Sequence, residues 1–139
     1  MVYMTWNLNW RYKRLVKYDE DYLFSQSERG EWLFKQLVSP FMVDGMSFSS
    51  MEQYMMYCKA ICFQDEPSAA KILATEDVAE IKLLGRHVSN YDENHWNGVR
   101  QIVVYKGLLA KFSQNEDLKG KLKSTGNAVL AECAVKDRI

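Results

Sequence analysis

The chain has 139 residues, 47% of them hydrophobic and 26% charged, and its 18 basic side chains are balanced by 18 acidic ones. These values predict a single soluble globular domain over residues 1–139 and exclude a protein that grips nucleic acid through bulk positive charge. There is no run of 18 apolar residues, so no membrane span is expected; with no signal-peptide pattern at the start, the three cysteines are expected to be reduced thiols in a cytoplasmic protein.

In chain order, Trp10, Arg11, Tyr12, Lys13, Arg14 and Lys17 form a basic stretch laced with aromatics. Such a stretch can hold phosphates or stack on a base, and it reads equally well as a solvated edge. Glu31-Trp32-Leu33-Phe34 is apolar and is expected to pack. Phe41 to Phe48 reads as a β-hairpin, because Asp44-Gly45 supplies the two positive φ angles of a type I′ turn. A helix follows from about Ser50 to Phe63, with Met51, Tyr54, Met55, Cys58, Ile61 and Cys62 at helical spacing on one apolar face.

Glu52 and Lys59 share one stripe of that helix, two turns or roughly 10 Å apart. So placed, a carboxylate and an amine can bracket a small substrate. The same residues have a purely local reading. Ser49 at the N-cap with Glu52 at N3 makes a capping box, which would leave Lys59 a solvated lysine.

Pro67 suits the first turn of a short helix ending near Ala74. Thr75 is a possible cap for the next helix, which carries Val78, Ile81, Leu84 and Val88 to a break near Gly85–His87. Asp92 is a good N-cap for the longest helix, Glu93 to about Phe112, with Trp96, Val99, Ile102, Val103 and Leu109 on its buried side. Gly98 and Gly107 lie inside it, each costing about 1 kcal/mol against alanine, and point to close packing or backbone approach to a ligand. A last helix runs from Asp117 to Ser124, closed by Gly126, and Ala128 to Val135 reads as a short strand. The sum is a mainly α domain with a small β element.

Metal and cofactor motifs do not stand out. His87 and His95 lack ligand spacing to each other or to a cysteine, and Cys58 and Cys62 have no second pair. No Gly-rich phosphate loop or nucleophile elbow occurs. Neither a cofactor nor a metal is expected.

Several separated pieces together resemble the NADAR superfamily, whose YbiA-like members are N-glycosidases. They are Val43-Asp44-Gly45, Ser50-x-Glu52-x-Tyr54 with Lys59, Leu84-Gly85-Arg86, Trp96, Ala110-Lys111-Phe112, the Leu122 to Gly126 step, and Leu130-Ala131-Glu132 with Asp137. Their order and spacing hold over about Pro40 to Ile139. The resemblance implies a YbiA-like multihelical fold and cleavage of a ribosyl C–N bond. The implied substrates are early ribosylamino-pyrimidine intermediates of riboflavin synthesis or ADP-ribose attached to guanine in nucleic acid. The second would suit an antitoxin that contacts ADP-ribosylated DNA.

Such cleavage builds positive charge on the sugar, so the site needs a carboxylate near the anomeric carbon, a proton source and a shaped wall. The resemblance puts Glu52 and Asp137 in the carboxylate roles. It gives Lys59 either an anion-holding or a Schiff-base role. Gly85, Arg86, Trp96 and Glu132 bind substrate, Arg86 through phosphate and Trp96 by stacking on the base. The plain readings are Trp96 as core, Arg86 as a helix C-terminal cation and Asp137 as a surface acid.

The chain departs from the family pattern at Trp32 to Leu37, where relatives carry Ser-Asn-Phe. It also stops at Asp137-Arg138-Ile139, where they continue with Trp-Gly. A shortened domain with a shallow pocket and weak turnover is the resulting expectation. The alternative function is a catalytically silent module that binds ADP-ribose or a nucleotide.

Overall fold

The structure, a computed structural model, describes residues 22–24, 38–127 and 130–132. The chain falls into two compact units, one made of Met1–Phe34 with Gly120–Ile139, the other of Lys35–Lys119. In the first, β1 (Tyr22–Phe24) pairs in parallel with β4 (Leu130–Glu132), Tyr22 opposite Leu130 and Phe24 opposite Glu132. Strand β4 lies within the strand expected at Ala128–Val135, the rest of which is outside the described residues. The basic stretch from Trp10 to Lys17, the apolar run from Glu31 to Phe34, and Asp137 lie outside the described residues.

The second unit begins with the expected hairpin. Strands β2 (Phe41–Val43) and β3 (Met46–Phe48) pair antiparallel, and Asp44 and Gly45 between them have φ of 50° and 81°. Both signs are those of a type I′ turn, whose twist matches the strands it joins. Phe41 and Phe48 stand opposite each other and turn inward against Tyr54, with Phe48 and Tyr54 edge-to-face at 5.1 Å. The outer edge of β2 is closed by Gln114, which accepts from the Met42 N–H at 2.7 Å and donates to its carbonyl at 2.8 Å. One side-chain amide thereby stands in for a neighbouring strand.

Helix α1 (Met51–Cys62) is the centre of this unit, packed by α2 (Glu66–Leu73), α3 (Val78–Arg86) and α4 (Glu93–Gln114); α5 (Glu116–Ser124) follows. Each of the first four helices starts on a side chain that accepts from its own first turn. Ser50 serves α1, Asp65 serves α2, Asp77 serves α3 and Asp92 serves α4. Asp92 caps as expected, at 2.6 Å from the His95 N–H. Thr75 does not cap α3; its hydroxyl accepts from the Asp77 N–H and donates to Glu80, so it braces the cap.

The main core is Ala60, Phe63, Ala69, Ile72, Ile81, Val88 and Trp96, drawn from all four helices and their joins. Two glycines let helices approach closely. A Cβ at Gly107 would stand 2.6 Å from Met51 Sδ and from the Tyr54 ring, and one at Gly85 would run into Met56. Gly98 faces open space. The outward face of α4 departs from expectation. Ile102 and Leu109 are 66% and 58% exposed, while Val104, Gly107 and Lys111 are buried beside Trp96. Among the described residues, no helix is long and apolar enough to cross a membrane.

Candidate active site

The local chemistry at the start of α1 decides how Glu52 is read. Ser50, not Ser49, is the N-cap, and its hydroxyl accepts from the Gln53 N–H at 3.2 Å. Position N3 is therefore Gln53. Its side-chain oxygen reaches back to the Ser49 N–H at 2.7 Å, and its amide donates to the carbonyls of Ile72 and Thr75 at 3.1 and 2.8 Å. Gln53 holds the backbone just before the N-cap and ties α1 to the end of α2. The capping box expected with Ser49 and Glu52 is replaced: Ser50 is the N-cap, and the N3 residue Gln53 reaches one residue further back, to the Ser49 N–H. Glu52 is only 3% exposed. A carboxylate is rarely buried without a specific partner or task.

Side chains three or four apart on a helix lie on one stripe, so Glu52, Met56 and Lys59 face the same way. Met56 packs against Gly85, near the C-terminus of α3. Lys59 donates to the Gly85 carbonyl at 2.7 Å, and its Nζ lies 4.1 Å from the centroid of the Tyr91 ring. The ammonium thus sits on the negative end of the α3 dipole and over an aromatic face. Burial pushes its pKa below the ordinary lysine value. One Nζ–H is taken by Gly85, which leaves two further donors.

Of the residues singled out from sequence, Lys59 and Gly85 meet at the α1–α3 contact, Arg86 follows Gly85 in the chain, and Glu52 lies two turns before Lys59 on α1. Arg86 ends α3 with an exposed side chain. Trp96 does not join them as an open platform: it is 4% exposed and packs within the core with Phe63, Ile72 and Ile81. Its size and apolar body give it the packing role weighed against stacking. Glu132 lies on β4 in the other unit.

Three side chains of the site region were not singled out. Gln53 could have been, since Ser50-x-x-Gln53 satisfies the box as well as Ser49-x-x-Glu52 does. Tyr91 had no motif to mark it. Lys111, 0% exposed, was seen only as part of Ala110-Lys111-Phe112; full burial of a lysine is rare, but nothing in a sequence displays it. The Cys58 thiol is not poised for nucleophilic work, since burial raises its pKa. No group of three or more His, Cys, Asp or Glu side chains among the described residues could hold a metal ion.

The chain matches the NADAR domain over residues 11–139. It belongs to the NADAR family. The N-glycosidase R617 of Acanthamoeba polyphaga mimivirus is 39% identical to it over 92 residues, 66% of this chain and 54% of the viral protein. The N-glycosidase YbiA of Escherichia coli K12 is 31% identical over 98 residues, 70% of this chain and 59% of YbiA. The NMR structure of E. coli YbiA superposes with a TM-score of 0.72 at 25% identity, over 86% of this chain and 71% of that one. The riboflavin biosynthesis protein VVA0006 of Vibrio vulnificus is 28% identical over 116 residues, 84% of this chain and 31% of that protein. The expected fold, mainly helical with a small antiparallel hairpin, is therefore the YbiA fold. The chain spans little more than half the length of R617 and YbiA.

Proposed function

We propose that this NADAR chain hydrolyses a ribosyl C–N bond, with Glu52 as the carboxylate that faces the developing cation. The observation that carries the reading is the burial of Glu52 at 3% exposure while Ser50 and Gln53 hold the start of the helix. A carboxylate held away from bulk water acts on a developing positive charge more strongly than one in solvent. Two relatives named N-glycosidases support the same reaction class.

In this mechanism the glycosidic bond loosens and charge collects on the sugar. Glu52 stabilises that charge or takes the proton of an attacking water. Lys59 is anchored on Gly85 and Tyr91, and it offers its remaining Nζ–H donors to an anionic part of the substrate. An anchored ammonium suits this electrostatic role better than attack on an opened sugar. Arg86, exposed at the end of α3, is the second anion-binding group and suits a phosphate. The family resemblance further suggests Asp137 as a second carboxylate and Glu132 as a substrate contact.

The substrate class we favour is a phosphorylated ribosylamino-pyrimidine, in keeping with the name of the Vibrio relative; ADP-ribosyl-guanine in DNA is the second candidate. The test incubates the protein and its Glu52→Gln variant with each, and measures released base and ribose. Glutamine keeps the shape and removes the charge, so turnover should fall by about 10²–10⁴ with the melting temperature retained. Equal turnover by Glu52→Gln and the unaltered chain sinks the assignment.

A further inference from the structure

Helix α4 carries apolar side chains on two opposite faces. Trp96 and Val104, with Gly107, turn inward. Ile102, Tyr105 and Leu109 turn outward and are 66%, 68% and 58% exposed. With Gly98, also exposed, they recur at steps of four, three and four, which sets them on one narrow seam along the helix. The seam holds no acid or base. The cation at its edge, Lys106, is already paired with Asp44 at 3.1 Å, and Gln101 and Ser113 beside it are neutral.

Gly98 serves no purpose among the described residues. Inside a helix it costs about 1 kcal/mol against alanine. Its backbone does not require glycine, since the positive φ angles belong to Gly45 and Gly126. A Cβ at Gly98 would meet nothing within 4 Å, unlike one at Gly107. What a glycine permits in such a place is close approach from outside the chain.

The seam is also symmetric. Gly98 and Leu109 lie equally far on either side of the midpoint between Ile102 and Tyr105. A second α4 turned end for end about that midpoint brings its Leu109 level with Gly98 and its Tyr105 level with Ile102. A two-fold interface needs this property, because one patch must fit itself. An in-register parallel pair would set Gly98 against Gly98 and Tyr105 against Tyr105, a gap beside a crowded layer.

We propose that this seam is a weak, reversible interface between two copies of the chain, antiparallel along α4, with each Leu109 seated over the other copy's Gly98. Three large side chains at this exposure cover on the order of 300 Å² per copy. A stable dimer buries about 800 Å² per partner, so the pair belongs with transient associations, with a Kd on the order of 0.1–1 mM. A lipid surface fits less well. Helices that lie on membranes flank their apolar face with free lysine and arginine, and the lysine here is paired.

The experiment is sedimentation equilibrium of the full chain from about 10 µM to 1 mM, a range that spans the expected Kd. The mass should be that of a monomer at the dilute end and rise toward a dimer at the concentrated end. Ile102→Glu should abolish the rise. Gly98→Leu should weaken association at least tenfold, while its melting temperature in dilute solution stays level or rises because leucine is the better helix former. Adding Leu109→Ala to Gly98→Leu exchanges large for small and should recover at least threefold of that loss. Glu52→Gln should leave association unchanged, so the interface stands or falls apart from the glycosidase reading. Four results overturn the proposal. One is a monomer throughout the range. Another is tighter association of Gly98→Leu, which would mean a parallel pair with its gap filled. A third is shielding of the Ile102 and Leu109 methyl groups from a soluble nitroxide in dilute solution, which would mean that the chain covers its own seam. The last is binding to phosphatidylcholine vesicles, lost in Ile102→Glu, with no self-association.

Discussion

Helix α1 has 12 residues and buries six of them, whereas α4 has 22 and buries four. The short helix is enclosed on several sides, with five consecutive buried residues from Met51 to Met55. The long one lies across it with a narrow inner stripe of Trp96, Val104, Gly107 and Lys111. Burial on every side allows α1 to carry Glu52 and Gln53 out of water, where each needs a definite task. A helix with one buried stripe has few such positions; on α4 Lys111 is the polar residue that occupies one, and most of the others are exposed. The chemistry gathers on α1 because of this enclosure, while α4 serves as its cover.

The sharpest test of this contrast sets the two faces of α4 against each other. Trp96→Ala removes the largest side chain of the core cluster and should cost about 3–5 kcal/mol in urea denaturation. Ile102→Ala, on the outward face at 66% exposure, should stay within about 0.5 kcal/mol. Similar losses for the two would mean that the outward face is covered in solution.

Next in size is the polar closure of α1. Gln53→Ala leaves the Ser49 N–H and the Ile72 and Thr75 carbonyls without their side-chain partner, so a loss on the order of 3 kcal/mol is expected. Gln53→Glu should not restore it, because a carboxylate cannot donate to the two carbonyls. If Glu52→Ala proves as costly as Gln53→Ala while Gln53→Glu is neutral, the division of labour between these neighbours is wrong.

These two residues also show how far the sequence could be read. The hairpin was legible because Asp44-Gly45 admits few conformations, and the start of α4 because Asp92 is the acceptor directly before an apolar-periodic run. The start of α1 was not, since Ser49 and Ser50 are both caps, and Glu52 and Gln53 both suit N3. A pattern with two equivalent registers fixes the helix and leaves its first turn undetermined by one residue. On α4 the hydrophobic period pointed to Ile102 and Leu109, because pattern counting weighs apolar side chains. The buried stripe uses a glycine and a lysine, which such counting ignores. The Glu52–Lys59 stripe and the Gly85-Arg86 step were legible as motifs; their meeting through Met56 and the Gly85 carbonyl depends on helix packing that no local pattern contains.

A smaller effect separates the two glycines of α4. Gly107→Ala would press its methyl on Met51 and Tyr54 and should cost about 1–3 kcal/mol. Gly98→Ala meets nothing and should stabilise by about 1 kcal/mol through helix propensity. Opposite signs in thermal melts are the expected outcome. The same sign for both would show that α4 does not sit on α1 through Gly107.

The smallest expected effect concerns the join between α2 and the α3–α4 loop, and it appears only with pH. The Ser89 N–H, at 2.8 Å, and the Ser68 N–H, at 3.1 Å, donate to the two oxygens of Asp65 and hold its pKa down to about 2. The unfolded chain should titrate this group near the usual value of about 3.9. Because the folded value is the lower one, the stabilisation is fully present above about pH 4 and is lost as pH falls through the folded value near 2. Asp65→Asn keeps a cap but has no charge to lose. The stability difference between the two proteins should therefore be constant from pH 7 to 5 and shrink steadily between pH 4 and 2. A difference that stays flat to pH 2 would show that the two N–H groups favour the carboxylate no more than the amide, and that Asp65 joins these loops by geometry alone.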